Sequence, residues 1–155
     1  MKGLRLRGAF LALVAVSVGA CAPYSYSAGP SGDLPHRVTD GKVALSWKCL
    51  RPEPGIVRLE GLANNPSFPQ PIKELEFQLY GVDGQGREVS RTRGEARDYL
   101  IRTNAPSPFT LDLRTTGGEV RFDLVYMYRM RASFDSETFG PQQNLARNVC
   151  PDVKP

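Results

Sequence analysis

From Val43 onward the chain alternates apolar and polar residues with a period of two. Val43, Leu45, Trp47 and Cys49 fall on one face, with Ala44, Ser46 and Lys48 on the other. That spacing predicts a half-buried strand. The alternation returns from Ile56 to Ala63, where Val57 and Leu59 oppose Arg58 and Glu60. It returns again where Leu75, Phe77 and Leu79 oppose Glu74, Glu76, Gln78 and Tyr80. Between these two runs stand Pro66, Pro69 and Pro71. Proline cannot donate to a central ladder, so residues 64–71 are predicted as a loop. Gly81 to Gly86 contains Asp83-Gly84 and predicts a hairpin turn, with Arg87 to Arg91 as the return strand. A short strand is predicted at Asp98 to Arg102 and a loop from Thr103 to Pro108. Phe109, Leu111 and Leu113 then alternate with Thr110, Asp112 and Arg114, and Gly117-Gly118 turns the chain. The longest run follows: Val120, Phe122, Leu124, Tyr126, Tyr128 and Met130 on one face. Arg121, Asp123, Val125, Met127, Arg129 and Arg131 lie on the other. An uninterrupted inward row of that length predicts the central strand.

The two ends behave differently. Residues 22–41 are rich in Gly, Ser and Pro with no apolar period, and predict a flexible tether. The tail from Ala132 is polar, and Pro141 ahead of Gln142 to Val149 predicts one or two helical turns. At the front, Lys2, Arg5 and Arg7 precede an apolar run from Ala9 to Ala20. A basic head, a short apolar middle and small residues before a break make a secretory signal peptide. The run falls well short of the roughly 20 residues needed to span a bilayer. The organisation expected is a signal peptide at 1–20, a tether at 21–41, a sandwich at 42–131 and a tail at 132–155. About seven short strands without a long helix predict an antiparallel, immunoglobulin-like β-sandwich.

Val18-Gly19-Ala20-Cys21 resembles the lipobox of bacterial lipoproteins, an aliphatic residue and two small ones before a cysteine. The resemblance implies that Cys21 carries a diacylglyceryl thioether and becomes the new N-terminus, its amine open to a further acyl chain. Two or more chains hold a protein to a membrane stably, where one does so marginally. The cell envelope is then the expected location. Ala22 in place of an aspartate favours the outer membrane where the cell has one. The middle of the chain is similar to the FxLYD type of bacterial β-sandwich. The matching residues are Gly61, Asn64 and Asn65, then Phe77-Gln-Leu-Tyr80, then Asp83-Gly84, with Gly81 where that pattern has its aspartate. The likeness covers about residues 43–130. It implies an immunoglobulin-like fold in an envelope protein and carries no enzymatic activity.

Charge and cysteines change the picture once the signal peptide is set aside. The formal charge of the full sequence is +4, with a pI near 9.1. Loss of Lys2, Arg5 and Arg7 lowers it to +1, which removes the argument for a polyanion or nucleic-acid partner. With Cys21 lipidated, Cys49 and Cys150 remain as an even pair in an exported chain, and a disulfide is expected. Two free thiols or a metal pair are the alternatives.

No catalytic constellation is legible. His36 is the one histidine and falls in the predicted tether, away from any nucleophile. Glu74 and Glu76 share a strand face but look like an ordinary solvated face. Asp83-Gly-Gln-Gly86 lacks the regular oxygen spacing of a calcium loop. No cofactor motif is present, so no cofactor, metal or enzymatic activity is expected. The candidate interaction surface comprises two sets. Arg87, Arg91, Arg93 and Arg97 form a basic bias after the hairpin. Arg121, Arg129 and Arg131 flank Val125 and Met127 on the long strand. The expected role is a non-enzymatic lipoprotein that meets an envelope protein through a sheet face or edge. The alternative is a small-ligand or lipid carrier with an apolar pocket between its sheets.

Overall fold

The computed structural model describes residues 33–66, 69–133 and 136–153, apart from the side chains of 131–140. The stretches read as signal peptide and lipobox, with Cys21, lie outside the described residues. The described residues form nine strands: β1 (His36–Thr39), β2 (Ala44–Leu50), β3 (Ile56–Asn64), β4 (Ile72–Val82), β5 (Glu88–Glu95), β6 (Leu100–Ile101), β7 (Ser107–Arg114), β8 (Arg121–Ser133) and β9 (Ser136–Ala146). There is no helix among the described residues. The strands form two antiparallel sheets, β1-β2-β3-β7 and β5-β4-β8-β9, with β6 beside β4 where β5 has left it. The expected antiparallel β-sandwich is therefore what the chain forms, with β8 in the interior of its sheet.

The inward rows are those that the alternation predicts. Val57 and Leu59 from β3, Phe77 and Leu79 from β4, Leu111 and Leu113 from β7, and Phe122, Leu124 and Tyr126 from β8 are almost completely buried. Phe77 and Phe109 stack across the two sheets with ring centroids 4.3 Å apart. Each such side chain taken from water contributes on the order of 1.5–3 kcal/mol. The Phe77 and Phe109 rings are both buried between the sheets.

One margin of the sandwich is closed covalently. Cys49 of β2 and Cys150, just past β9, form a disulfide with a Cα–Cα distance of 5.6 Å. Beside it the Trp47 indole N–H donates to the Val149 carbonyl at 2.7 Å. Asp40, in the turn between β1 and β2, stitches the same margin to the other sheet. Its Oδ1 accepts from the Lys42 and Val43 backbone N–H groups at 2.9 and 2.8 Å. Its Oδ2 accepts from the Tyr128 hydroxyl and the Asn144 amide, both at 2.8 Å. Burial and the Asp40 hydrogen bond hold the Tyr128 phenol well above its usual range.

Four expectations are corrected. His36–Thr39, read as tether, is strand β1, with His36 and Val38 half-buried against β2. Its period of two lasts only four residues, too few to stand out from the Pro- and Gly-rich stretch before it. Gln142 to Ala146 is not helical but the end of β9. A 13-residue β8 has a full row of backbone donors and acceptors on each side, and the tail satisfies one of them. Pro141 is tolerated because β9 is an edge strand and a register shift falls opposite it, between Tyr128 and Met130. The tail thus lies alongside β8 rather than over its outer face. Ser107 and Pro108, read as loop, begin edge strand β7. Val120, placed inward by the alternation, is 56% exposed, because Glu119 takes the buried position.

Candidate functional site

The register of the five-stranded sheet places the outward residues in rungs. Arg91, Tyr80 and Asp123 share one rung. Arg93, Gln78, Val125 and Leu145 share the next. Glu95, Glu76, Met127 and Gln143 share the third. The intervening rungs, such as Gly94, Phe77 and Tyr126, face the core. Two sets of candidate residues that lie far apart in sequence therefore meet on one surface. Its β8–β9 half is apolar: Val125 and Met127 are half-buried and Leu145 is 51% exposed. Its β5–β4 half is charged, with a groove of about 320 Å³ running between Gln78, Arg93, Glu76 and Glu95.

Most of the predicted arginines are internally neutralised. Arg87 meets Asp83 at 2.8 Å across the hairpin. Arg91 meets Glu88 at 2.7 Å, with its guanidinium 5.4 Å from the Tyr80 ring centroid. Tyr80 in turn donates its hydroxyl to the Gln78 side chain. Arg121 meets Asp123 at 3.1 Å and Arg129 meets Glu74 at 3.2 Å. Arg97 is exposed just beyond β5, its backbone N–H donating to the Pro108 carbonyl at 2.9 Å. Arg131 pairs with Thr138 through the β8–β9 backbone register, and its side chain lies outside the described residues. Arg93 differs from the rest. It is exposed and its side chain has no hydrogen-bond or ion-pair partner among the described residues. The same holds for Glu76 and Glu95 on the adjoining rung. Those two carboxylates stand directly opposite one another, an arrangement that costs a sheet stability.

The residues weighed for chemistry are engaged structurally. Glu74 sits at a β-bulge with φ 51°, between Arg129 and the Tyr99 hydroxyl, which donates to it at 3.0 Å. Asp83 closes its own hairpin, accepting from the Gln85 and Arg87 backbone N–H groups at 2.9 Å each. Those Arg87 and Gln85 hydrogen bonds, with the Arg87 guanidinium, hold its carboxyl below the usual range. His36 has a structural shell that the tether reading did not foresee. Its ring lies 5.9 Å from that of Trp47, and its Nε2 is 3.0 Å from Asp152.

Sequence reasoning missed two acids altogether. Asp40 was absorbed into the tether. Glu119, only 2% exposed, accepts from Thr116 N–H at 2.8 Å, Gly117 N–H at 2.9 Å and the Ser90 hydroxyl at 2.7 Å. Burial pushes its carboxyl up, but these donors outweigh burial and bring it down to about 2. The only advance signal was a carboxylate next to Gly117-Gly118, where a turn needs an acceptor. Gly81 is part of the same packing: a Cβ there would come within 2.4 Å of Glu119 Cγ.

A cleft of about 520 Å³ lies open beside β1, with mixed walls that include Arg37, Val38, Thr39, Leu45, Asn64 and Asn104. Among the described residues no group of three or more His, Cys, Asp and Glu side chains is gathered as a metal site would need.

No family model and no curated protein matches this sequence. One solved structure with a likeness is a beta-glucuronidase from glycoside hydrolase family 2. It aligns with 71% of this chain and 10% of its own, at 10% identity and a TM-score of 0.32. This chain thus spans about a tenth of that enzyme's length, and a likeness so slight bears on neither fold nor activity.

Proposed function

We propose that this protein is a non-enzymatic envelope lipoprotein, anchored through acyl chains on Cys21, whose β-sandwich binds protein through the outer face of β5-β4-β8-β9. The observation that carries the binding role is the unbalanced surface of that sheet. Arg93, Glu76 and Glu95 have no internal partners, and they adjoin the apolar strip of Val125, Met127 and Leu145. Met, Tyr and Arg, present here as Met127, Tyr80 and Arg93, are among the residues enriched in protein interfaces. The lipid anchor rests on the lipobox residues. The disulfide, which requires an oxidising compartment, agrees with export.

The carrier alternative needs an apolar chamber between the sheets. The buried Phe77 and Phe109 rings stack within that space, and the unpaired charges favour the outer face.

The test has two arms. Cys21→Ser should move the protein from the membrane fraction to the soluble fraction; unchanged retention would overturn the anchor. Gentle cross-linking of solubilised envelopes should capture a defined protein on the wild-type chain and lose it with Arg93→Glu. Capture that is indifferent to Arg93 would overturn the choice of surface.

A further inference from the structure

The geometry points to a second copy of this chain as the occupant of that outer face, and we propose an isologous, sheet-on-sheet dimer. The inference rests on reading the face as a protein-binding surface and names its partner. In a two-fold interface each residue meets the position related to it by the axis, so the face must complement itself. Here it does. An axis parallel to the sheet and midway between the two facing copies, running across the strands between the second and third rungs, exchanges those rungs. Arg93 then stands over the partner subunit's Glu95, and Gln78 over the partner subunit's Glu76. Val125 stands over the partner subunit's Met127. Each unpartnered charge gains an opposite charge or a hydrogen-bond donor, Val125 and Met127 cover one another, and Leu145 stands over the partner subunit's Gln143.

The area is sufficient. β4 is eleven residues long, which at ~3.3 Å per residue and four strands at ~4.8 Å gives a footprint of roughly 700 Å². That approaches the ~800 Å² which each partner contributes to a standard interface. A membrane surface fits less well, since anionic headgroups would meet Glu76 and Glu95. The opposed pair Glu76–Glu95 also acquires a reason. It is unfavourable within one sheet and becomes favourable when a second copy brings Arg93 and Gln78 onto it.

Sedimentation velocity of the chain carrying Cys21→Ser, from about 1 to about 100 µM, tests this at the weak end of interfaces of this size. A concentration-dependent dimer is expected. Arg93→Glu and Glu95→Arg should each weaken it by tenfold or more. Combining them should recover most of the loss, because the swapped charges again face each other across the axis. Near-ultraviolet dichroism of Trp47 checks that each variant is folded. A wild-type chain that is monomeric throughout would overturn the dimer. So would a dimer that Arg93→Glu leaves intact, or one that the double variant fails to restore. These outcomes are separate from those of the parent reading. A monomer retained on membranes through Cys21, and cross-linked to another protein in an Arg93-dependent way, removes the second copy alone. A monomer with no Arg93-dependent partner removes the binding face as well.

Discussion

The outer faces of the two sheets differ in how completely they pair their charges. On β1-β2-β3-β7, Lys48 and Glu60 are register partners and meet at 2.9 Å. Arg58 and Asp112 are register partners on the next ladder and form a two-pronged bond at 2.6 Å for each prong. On β5-β4-β8-β9, one rung sets Glu76 against Glu95, and Arg93 beside them touches neither. Cross-strand pairs of opposite charge stabilise a sheet and like charges opposed destabilise it. The first face is thus built to be stable alone in water. The second leaves the charges of this rung unpaired beside an apolar strip, and the proposed binding role rests on that difference.

That contrast depends on the two sheets being held in a fixed relation, and the largest effects are expected where they are joined. Replacing Cys49 and Cys150 together by alanine opens a loop with a sequence separation of 101 residues. Loss of a native disulfide from a small secreted domain costs about 2–5 kcal/mol. Urea denaturation without reductant should show that loss. An unchanged midpoint would mean that Asp40 and the Trp47–Val149 bond hold the margin without it. Such a result would make both faces independent of the covalent seam.

Glu119 is next in size and belongs to the interior behind the second face. Glu119→Gln keeps the shape but turns an amide against the Gly117 and Thr116 donors, at a cost of about 1–3 kcal/mol. The native carboxyl titrates near 2 rather than at its ordinary 4.5. A depressed folded pKa stabilises the protein above the unfolded value. That stability is therefore full above about pH 4.5 and is lost as the pH falls toward about 2. The difference between wild type and Glu119→Gln should shrink over that window. A constant difference down to pH 2 would show that charge on Glu119 is not what the loop uses.

Much of the architecture was legible because inward residues recur every second position. Val57, Leu59, Phe77, Leu79, Leu111 and Leu124 are buried where the alternation put them. β9 was illegible because its reason for being a strand lies in the backbone of β8, not in its own polar residues. β1 failed for lack of length. Asp40 could be seen as a turn residue, but nothing local announces a bond to Tyr128, 88 residues away. At Glu119 the alternation broke because hydrogen-bond donors, rather than hydrophobicity, decided which side chain went inside. The candidate surface was half legible. Alternation said that Glu76 and Val125 point outward, whereas Arg93 stood beyond the predicted return strand and was marked only by the local basic bias. Only the register said that Glu76 faces Glu95, and that register is fixed by a hairpin with an irregularity at Gly81 and Val82.

The smallest effect sharpens the comparison most, because its sign differs between the faces. Glu76→Gln removes one of two opposed carboxylates and should raise monomer stability by a few tenths of a kcal/mol. Asp112→Asn on the other face breaks the bond that the Arg58 guanidinium makes in two places, and should lower it. Both are measured as urea midpoints, in the Cys21→Ser chain and well below the concentration at which it associates, with slopes required to match. Association should respond in the reverse sense. Glu76→Gln weakens the dimer because Gln78 of the partner subunit loses a charged acceptor, while Asp112→Asn leaves it unchanged. If Glu76→Gln lowered monomer stability, Glu76 would have an internal partner, and the second face would be as self-contained as the first.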